Sequence, residues 1–291
     1  MSGEEGESKV STYETYVSTP SERTVLLVKA RGETWRDKIG LYEPTEPNFW
    51  RYVFAEFVYT LIFTIIACGC SLNLGQPRSD LHQAVCVGGI VAVLITVSAE
   101  KLGYFNPALS FGLLVAGEIK FVRFFVYAAV QVAGSCAGAG LLYLYTPSNV
   151  RGHLGTLSIH DDLLVGVAFV VELTLTFIVM LVIIAARDPD NQFSLLQSNM
   201  VVGLSVAVAM LMGMPFTGAG VNPIRAFGPA AVTGNLVHEH WVYWVGPLVG
   251  ALCASLSYKY IFKLGEEKPK EKAQPMPTVH MKIKSTSNSS V

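Results

Sequence analysis

Apolar residues dominate this chain from Phe54 to Ile184 with few interruptions, while residues 1–51 and 263–291 are polar. Six apolar blocks are long enough to cross a hydrocarbon layer of ~30 Å, which takes about 20 helical residues. They fall near Tyr52–Leu72, His82–Ala99, Phe121–Tyr145, Leu163–Ala186, Leu196–Met214 and Trp241–Phe262. Two further apolar stretches, Pro107–Ala116 and Pro223–Thr233, are too short. Ten residues at 1.5 Å each reach about 15 Å, half the layer. Each opens on Asn-Pro. Proline suits the first helical turn, where its missing N–H goes unpaired anyway, and asparagine suits the cap before it. The pattern predicts six spanning helices and two half-helices entering from opposite sides.

The short stretches belong to an internal repeat. Asn106-Pro107-Ala108 and Asn222-Pro223-Ile224 are offset by 222 − 106 = 116, and the same offset relates Glu56 to Glu172, Phe111 to Phe227 and Gly112 to Gly228. Repeats that carry interrupted hydrophobic segments at matching positions point to a solute site near mid-bilayer. The expected fold class is an all-α membrane protein with an inverted repeat. Its first copy covers about residues 49–147 and its second about 163–263, within a channel domain of 49–263.

Composition agrees. Of 291 residues 51% are apolar and 15% charged, against roughly 25% charged in soluble domains, and the mean hydropathy is +0.43. Met1–Ser8 is acidic and polar, unlike a cleavable signal. Lys29, Arg31, Arg36, Lys38 and Arg51 precede the first span, and Lys259, Lys263, Lys268, Lys270 and Lys272 lie in or after the sixth. The positive-inside rule then puts both termini in the cytoplasm, with the plasma membrane as the expected location. Residues 1–48 and 264–291 read as unstructured tails, short of apolar surface. The final Ser289, Ser290 and Val291 match the carboxylate-terminal pattern that adds as a strand to a PDZ domain, so a PDZ partner is a candidate. Cys68, Cys70, Cys86, Cys136 and Cys253 all lie in apolar stretches and read as core residues. No metal-ligand spacing is present. No cofactor and no nucleic-acid partner are expected, and no nucleophile or phosphate loop suggests an enzyme.

Two half-helices meeting at mid-bilayer bring together two N-termini, each with about half a positive charge and unpaired N–H groups. Non-helical backbone at that depth is tolerated where it packs in protein or lines a wet cavity. The amides of Asn106 and Asn222 project into such a cavity, their NH₂ groups donating and their oxygens held by backbone. Glu56 and Glu172, ionisable groups inside spans, are expected to anchor the loop backbone ahead of each half-helix.

Gly103-Tyr-Phe-Asn-Pro-Ala-Leu-Ser-Phe-Gly112 and Thr217-Gly-Ala-Gly-Val-Asn-Pro-Ile-Arg-Ala-Phe-Gly-Pro-Ala230 resemble the two signature loops of the aquaporin, or major intrinsic protein, family. Ala55-Glu56-Phe57 and the stretch from His240 to Pro247 resemble its first and sixth helices. The resemblance runs from about Phe49 to Phe262. It implies a passive pore for water along the osmotic gradient that excludes protons and ions, with glycerol or urea as further candidate solutes, and a homotetramer in the lipid bilayer. Positive half-helix ends opposing cations are an electrostatic barrier already recognised in pores of this type. Ala226, Ala230 and the pair Tyr243-Trp244 match the water-conducting branch more than the glycerol facilitators. The second motif, however, reads Asn-Pro-Ile, and Ile224 is bulkier than the usual alanine. In the outer filter Arg225 matches, but the usual histidine is Met210, and the usual phenylalanine of the second span is Val87, or Cys86 if a one-residue gap before Asn106 is misplaced. Ala219 completes that ring. It is therefore more apolar and wider than a strict water filter. The competing readings are a glycerol or small-solute facilitator, a coupled transporter, and a poorly conducting junctional protein of the same fold.

Overall fold

Ahead of the apolar blocks stand two strands, β1 (Ser11–Ser18) and β2 (Arg23–Ala30), and a short helix, α1 (Trp35–Ile39). The computed structural model describes residues 11–18, 23–30, 34–73, 75, 78–98 and 103–263. The strands pair antiparallel, with Ser11 opposite Ala30 and Ser18 opposite Arg23. Over residues 11–18, 23–30 and 34–48 this differs from the expectation of one unstructured tail over 1–48. Thr24-Val-Leu-Leu-Val28 is a local run of β-branched and apolar residues that favours a strand, and the tail's mean polarity conceals it. Helix α1 begins on a capping box in which Thr34 and Asp37 bond each other's backbone N–H. The following turn docks through Glu43, whose carboxylate accepts from Arg123 Nε at 3.1 Å. Ser289, Ser290 and Val291 lie outside the described residues.

Six long helices follow the expected spans. They are α2 (Phe49–Gly69), α3 (Asp80–Val97), α5 (Phe121–Tyr145), α7 (Val165–Arg187), α8 (Leu195–Thr217) and α10 (Val242–Ser257), the last continued by a π-helical turn over Tyr258–Phe262. A one-turn helix, α6 (Ser148–Arg151), lies in the connection after α5. The two short stretches form helices at the expected bounds, α4 (Pro107–Ala116) and α9 (Pro223–Thr233). Large apolar side chains such as Phe54, Leu144, Leu164 and Leu204 are exposed on the outer faces, as a lipid-embedded bundle requires. Together these make a multi-pass integral membrane protein.

Packing follows the repeat. Helix α2 packs on α5 as α7 packs on α10, and each half-helix is gripped by the other repeat, α4 by α10 and α9 by α5. Helices α3 and α8 cross at the centre, where a Cβ on Gly88 would lie 2.5 Å from Gly203 O and one on Gly203 2.6 Å from Gly88 O. Mutual contact fixes the offset there at 203 − 88 = 115, so the single-residue gap before Asn106 is real. Small residues permit such close approach; Gly134 and Gly138 do the same for α5 on α2, but Gly140 faces no neighbouring atom within 4 Å. Among the cysteines, Cys68 is buried, whereas Cys253 is exposed on α10 and is not a core residue.

At the end where α7 and α10 finish, Asp188 clasps the two helices. Its carboxylate accepts from Tyr258 OH at 3.0 Å and pairs with Lys263 Nζ at 3.0 Å. Burial acts to raise the Asp188 carboxyl, but the Asp190 N–H, Lys263 and Tyr258 outweigh it and hold it below the usual carboxylate value. Stability from this group is therefore present above the ordinary aspartate range and lost only as pH falls through the lowered value.

Candidate functional site

The half-helices meet through their caps. Asn106 and Asn222 take extended backbone angles, φ −156° and −143°, and begin α4 and α9. Asn106 Oδ1 accepts from the N–H groups of Ala108 at 2.9 Å and Leu109 at 3.4 Å, and Asn222 Oδ1 accepts from Ile224 N–H at 3.2 Å. The NH₂ groups then cross over. Asn106 Nδ2 donates to Val221 O at 3.1 Å, and Asn222 Nδ2 donates to Phe105 O at 2.9 Å. Each asparagine is thus tied to the residue preceding the other. An amide nitrogen carries two hydrogens, so one N–H on each side remains for a guest.

The loops ahead of the half-helices are pinned by the two repeat-related glutamates. Glu56 accepts from the N–H groups of Gly103 and Tyr104 at 2.8 Å each, from Phe105 N–H at 3.0 Å, and from Gln131 Nε2 at 3.1 Å. Glu172 accepts from the N–H groups of Gly220 at 2.8 Å and Val221 at 2.7 Å, and from Thr217 Oγ1 at 2.6 Å. Turning those amides toward the carboxylates puts Phe105 at φ +30° and Val221 at φ +54°. Positive φ is a strained conformation for a β-branched residue, and it is held at equivalent places in both repeats.

These groups border a narrow cavity in which about 90 Å³ is open to the centre of a water molecule, several times the ~10–15 Å³ that one held water needs. It reaches from Val87, Met210 and Arg225 at one end, past Asn106 and Asn222, to Arg187, Ser198 and Asn199 at the other. One wall is polar, built from the backbone of 103–105 and 219–221. The opposite wall is apolar and again twofold: Val87, Val91 and Ile95 on α3 answer Val202, Val206 and Met210 on α8 at the offset of 115, each a stripe of every fourth residue. Phe63 and Val179 complete it, each seven residues beyond an anchoring glutamate (63 − 56 = 179 − 172 = 7).

Val87, and not Cys86, lines the cavity, together with Met210, Ala219 and Arg225; the Cys86 thiol instead lies 3.8 Å from His82 Nε2. Of the six residues in the Asn-Pro motifs only the asparagines reach the cavity. Pro107, Ala108, Pro223 and Ile224 are buried behind them. Ile224 is wholly enclosed, its carbonyl accepting from Ser135 Oγ at 2.7 Å. The extra bulk of isoleucine is therefore absorbed by the core and does not narrow the passage. The sequence carried no sign of the crossed amide bonds, nor of Gly155, whose carbonyl takes Arg225 Nη1 at 2.7 Å. The glutamate-plus-seven spacing of Phe63 and Val179 is a signal that the sequence does carry.

A bundle of six crossing helices, with two half-helices capping a passage between its two ends, defines a pore-forming membrane protein. A family model for the major intrinsic proteins matches residues 43–258. The lens fiber major intrinsic protein of Homo sapiens is 40% identical over 223 residues, covering 76% of this chain and 84% of that one. Aquaporin-5 of Homo sapiens is 39% identical over 218 residues, covering 73% and 81%. The X-ray structure of the aquaglyceroporin from Plasmodium falciparum shares the fold, with a TM-score of 0.67 over 74% of this chain and 97% of that one at 24% identity. The chain belongs to the major intrinsic protein family, whose aquaporins are channels and not enzymes.

Proposed function

We propose that this protein is a passive channel that conducts water, admits small neutral solutes such as glycerol or urea, and excludes protons and ions. One observation carries the reading: among the described residues, the charged side chains lining the cavity are Arg187 and Arg225 alone, both cationic. The remaining lining is apolar side chain, backbone and uncharged polar groups, among them the amides of Asn106 and Asn222 at the centre and Ser198 and Asn199 at the Arg187 end. Water entering it meets one free N–H from each of Asn106 and Asn222 and is oriented between two positive helix ends, which oppose a cation or a transferable proton. A sodium- or proton-coupled transporter needs an acidic group in the path. Glu56 and Glu172, the acidic candidates, are occupied by backbone N–H groups behind the wall.

Solute size is governed at the ring of Val87, Met210, Ala219 and Arg225. Three of these four are apolar, and methionine is flexible. Glycerol can place its carbon edge on Val87 and Met210 while its hydroxyls reach Arg225. Replacing Met210 by histidine inserts a stiff polar ring and is expected to cut glycerol flux about tenfold or more, the scale of pocket-size discrimination, with water flux preserved. Parallel osmotic and glycerol flux assays in proteoliposomes check this. Equal glycerol flux in wild type and Met210→His would remove the filter assignment, and wild-type glycerol flux no faster than lipid alone would remove the solute claim.

The same reading assigns both termini to the cytoplasm on the basic-residue asymmetry, a plasma-membrane location, a homotetramer with one pore per subunit, and a PDZ-domain partner for Ser289, Ser290 and Val291.

A further inference from the structure

Arg225 is 3% exposed, and its guanidinium is braced from outside the signature loops. Nη1 donates to Gly155 O at 2.7 Å and lies 3.8 Å from Cys68 Sγ, while Nη2 donates to Ser71 Oγ at 3.4 Å. Ser71 follows the last turn of α2 and is itself fixed. Its hydroxyl lies 3.1 Å from Oε1 of Gln83 on α3 and 3.3 Å from Ala67 O. A serine hydroxyl has one proton and two lone pairs. The proton serves Gln83 or Ala67, which leaves a lone pair for Arg225. Gly155 is wedged onto the same turn: its φ is +68°, and a Cβ there would lie 3.0 Å from Cys68 O and 3.1 Å from Ser71 Cβ. Among the described residues Arg225 Nε has no hydrogen-bond partner, so the two Nη contacts decide where the guanidinium lies. Met210, on the same ring, carries only a weakly accepting thioether sulfur.

We propose that Ser71, held by Gln83, is a positioning residue for Arg225: it draws the Nη2 arm back against α2 and so sets the clear width of the outer ring. The proposal rests on the reading of Arg225 as part of that ring and deepens it. A buried donor deprived of its acceptor must find another. Without the Ser71 hydroxyl the acceptor in reach is water in the passage, so the arm swings inward. The larger solute is obstructed first.

The test compares Ser71→Ala, Ser71→Thr and Gln83→Leu with wild type in proteoliposomes at matched protein content, reading glycerol and water flux, together with a density map of Ser71→Ala. The expected result is a glycerol-to-water permeability ratio reduced about fivefold in Ser71→Ala, the scale of one net hydrogen bond. Gln83→Leu is expected to lower the ratio less, and Ser71→Thr, which keeps the hydroxyl, to restore it. The map is expected to have Nη2 displaced from α2 toward the passage. An unchanged ratio with Nη2 in its wild-type place overturns the proposal. If wild type itself passes no glycerol, the solute part of the proposed function falls and Ser71 is judged on the map alone. If Ser71→Ala does not fold, the ratio in Gln83→Leu decides, and no change there counts against the proposal.

Discussion

Replacing Glu56 and Glu172 together by glutamine is expected to abolish folded protein, not merely to slow conduction. Glu56 Oε1 accepts two backbone N–H groups, and its other oxygen accepts one more together with Gln131. Glutamine turns one of those oxygens into a donor, so in either orientation at least one buried N–H faces another N–H. Each buried donor left unsatisfied costs about 1–3 kcal/mol, and the loops of residues 103–105 and 219–221 are already strained by positive φ at Phe105 and Val221. Across both repeats about four such donors are at stake. By the same principle the penalty reaches several kcal/mol, comparable with the whole stability of an ordinary domain. Size-exclusion profiles of detergent extracts check this, with wild type giving one sharp peak and the double variant aggregate. A well-folded double variant that conducts nothing would instead put the carboxylates in the conduction path.

The second large effect concerns charge. Arg225→Val is expected to leave water flux intact, raise glycerol flux, and open a leak for protons and small cations. The guanidinium is always charged and borders the cavity at one end. Two unit charges 4 Å apart at an effective dielectric of 20 interact by about 4 kcal/mol, an upper limit of about a thousandfold on the lost barrier. Because the two half-helix ends remain, a leak increase of at least about tenfold is the expected result. A pH-sensitive dye inside vesicles, with a potassium diffusion potential applied, reads it. Unchanged leak would remove Arg225 from the ion barrier and leave it to the helix ends at Asn106 and Asn222 and to Arg187 at the other end of the cavity.

Much of the fold could be read in the chain because the bilayer leaves few options. A span must be about 20 apolar residues long, and Asn-Pro marks a helix start; α4 and α9 therefore lie at the expected residues. The glutamates were legible as anchors because a repeated acidic residue in an apolar span needs a repeated partner. Three features were not legible. The strands β1 and β2 depend on local β propensity within a polar tail. The bonds from Asn106 to Val221 O and from Asn222 to Phe105 O are made between the repeats, across about 115 residues, and no spacing encodes them. The packing of Ile224 away from the passage depends on the rotation of α9 against α5, which a motif comparison does not contain.

Conduction depends on one passage formed where two half-helices face each other. Stopped-flow osmotic shrinkage of proteoliposomes holding the wild-type chain tests it most directly. A rate well above that of protein-free vesicles, with the weak temperature dependence of water moving through a preformed path, is the predicted result. Shrinkage no faster than lipid alone, in vesicles shown to contain correctly folded protein, would contradict it.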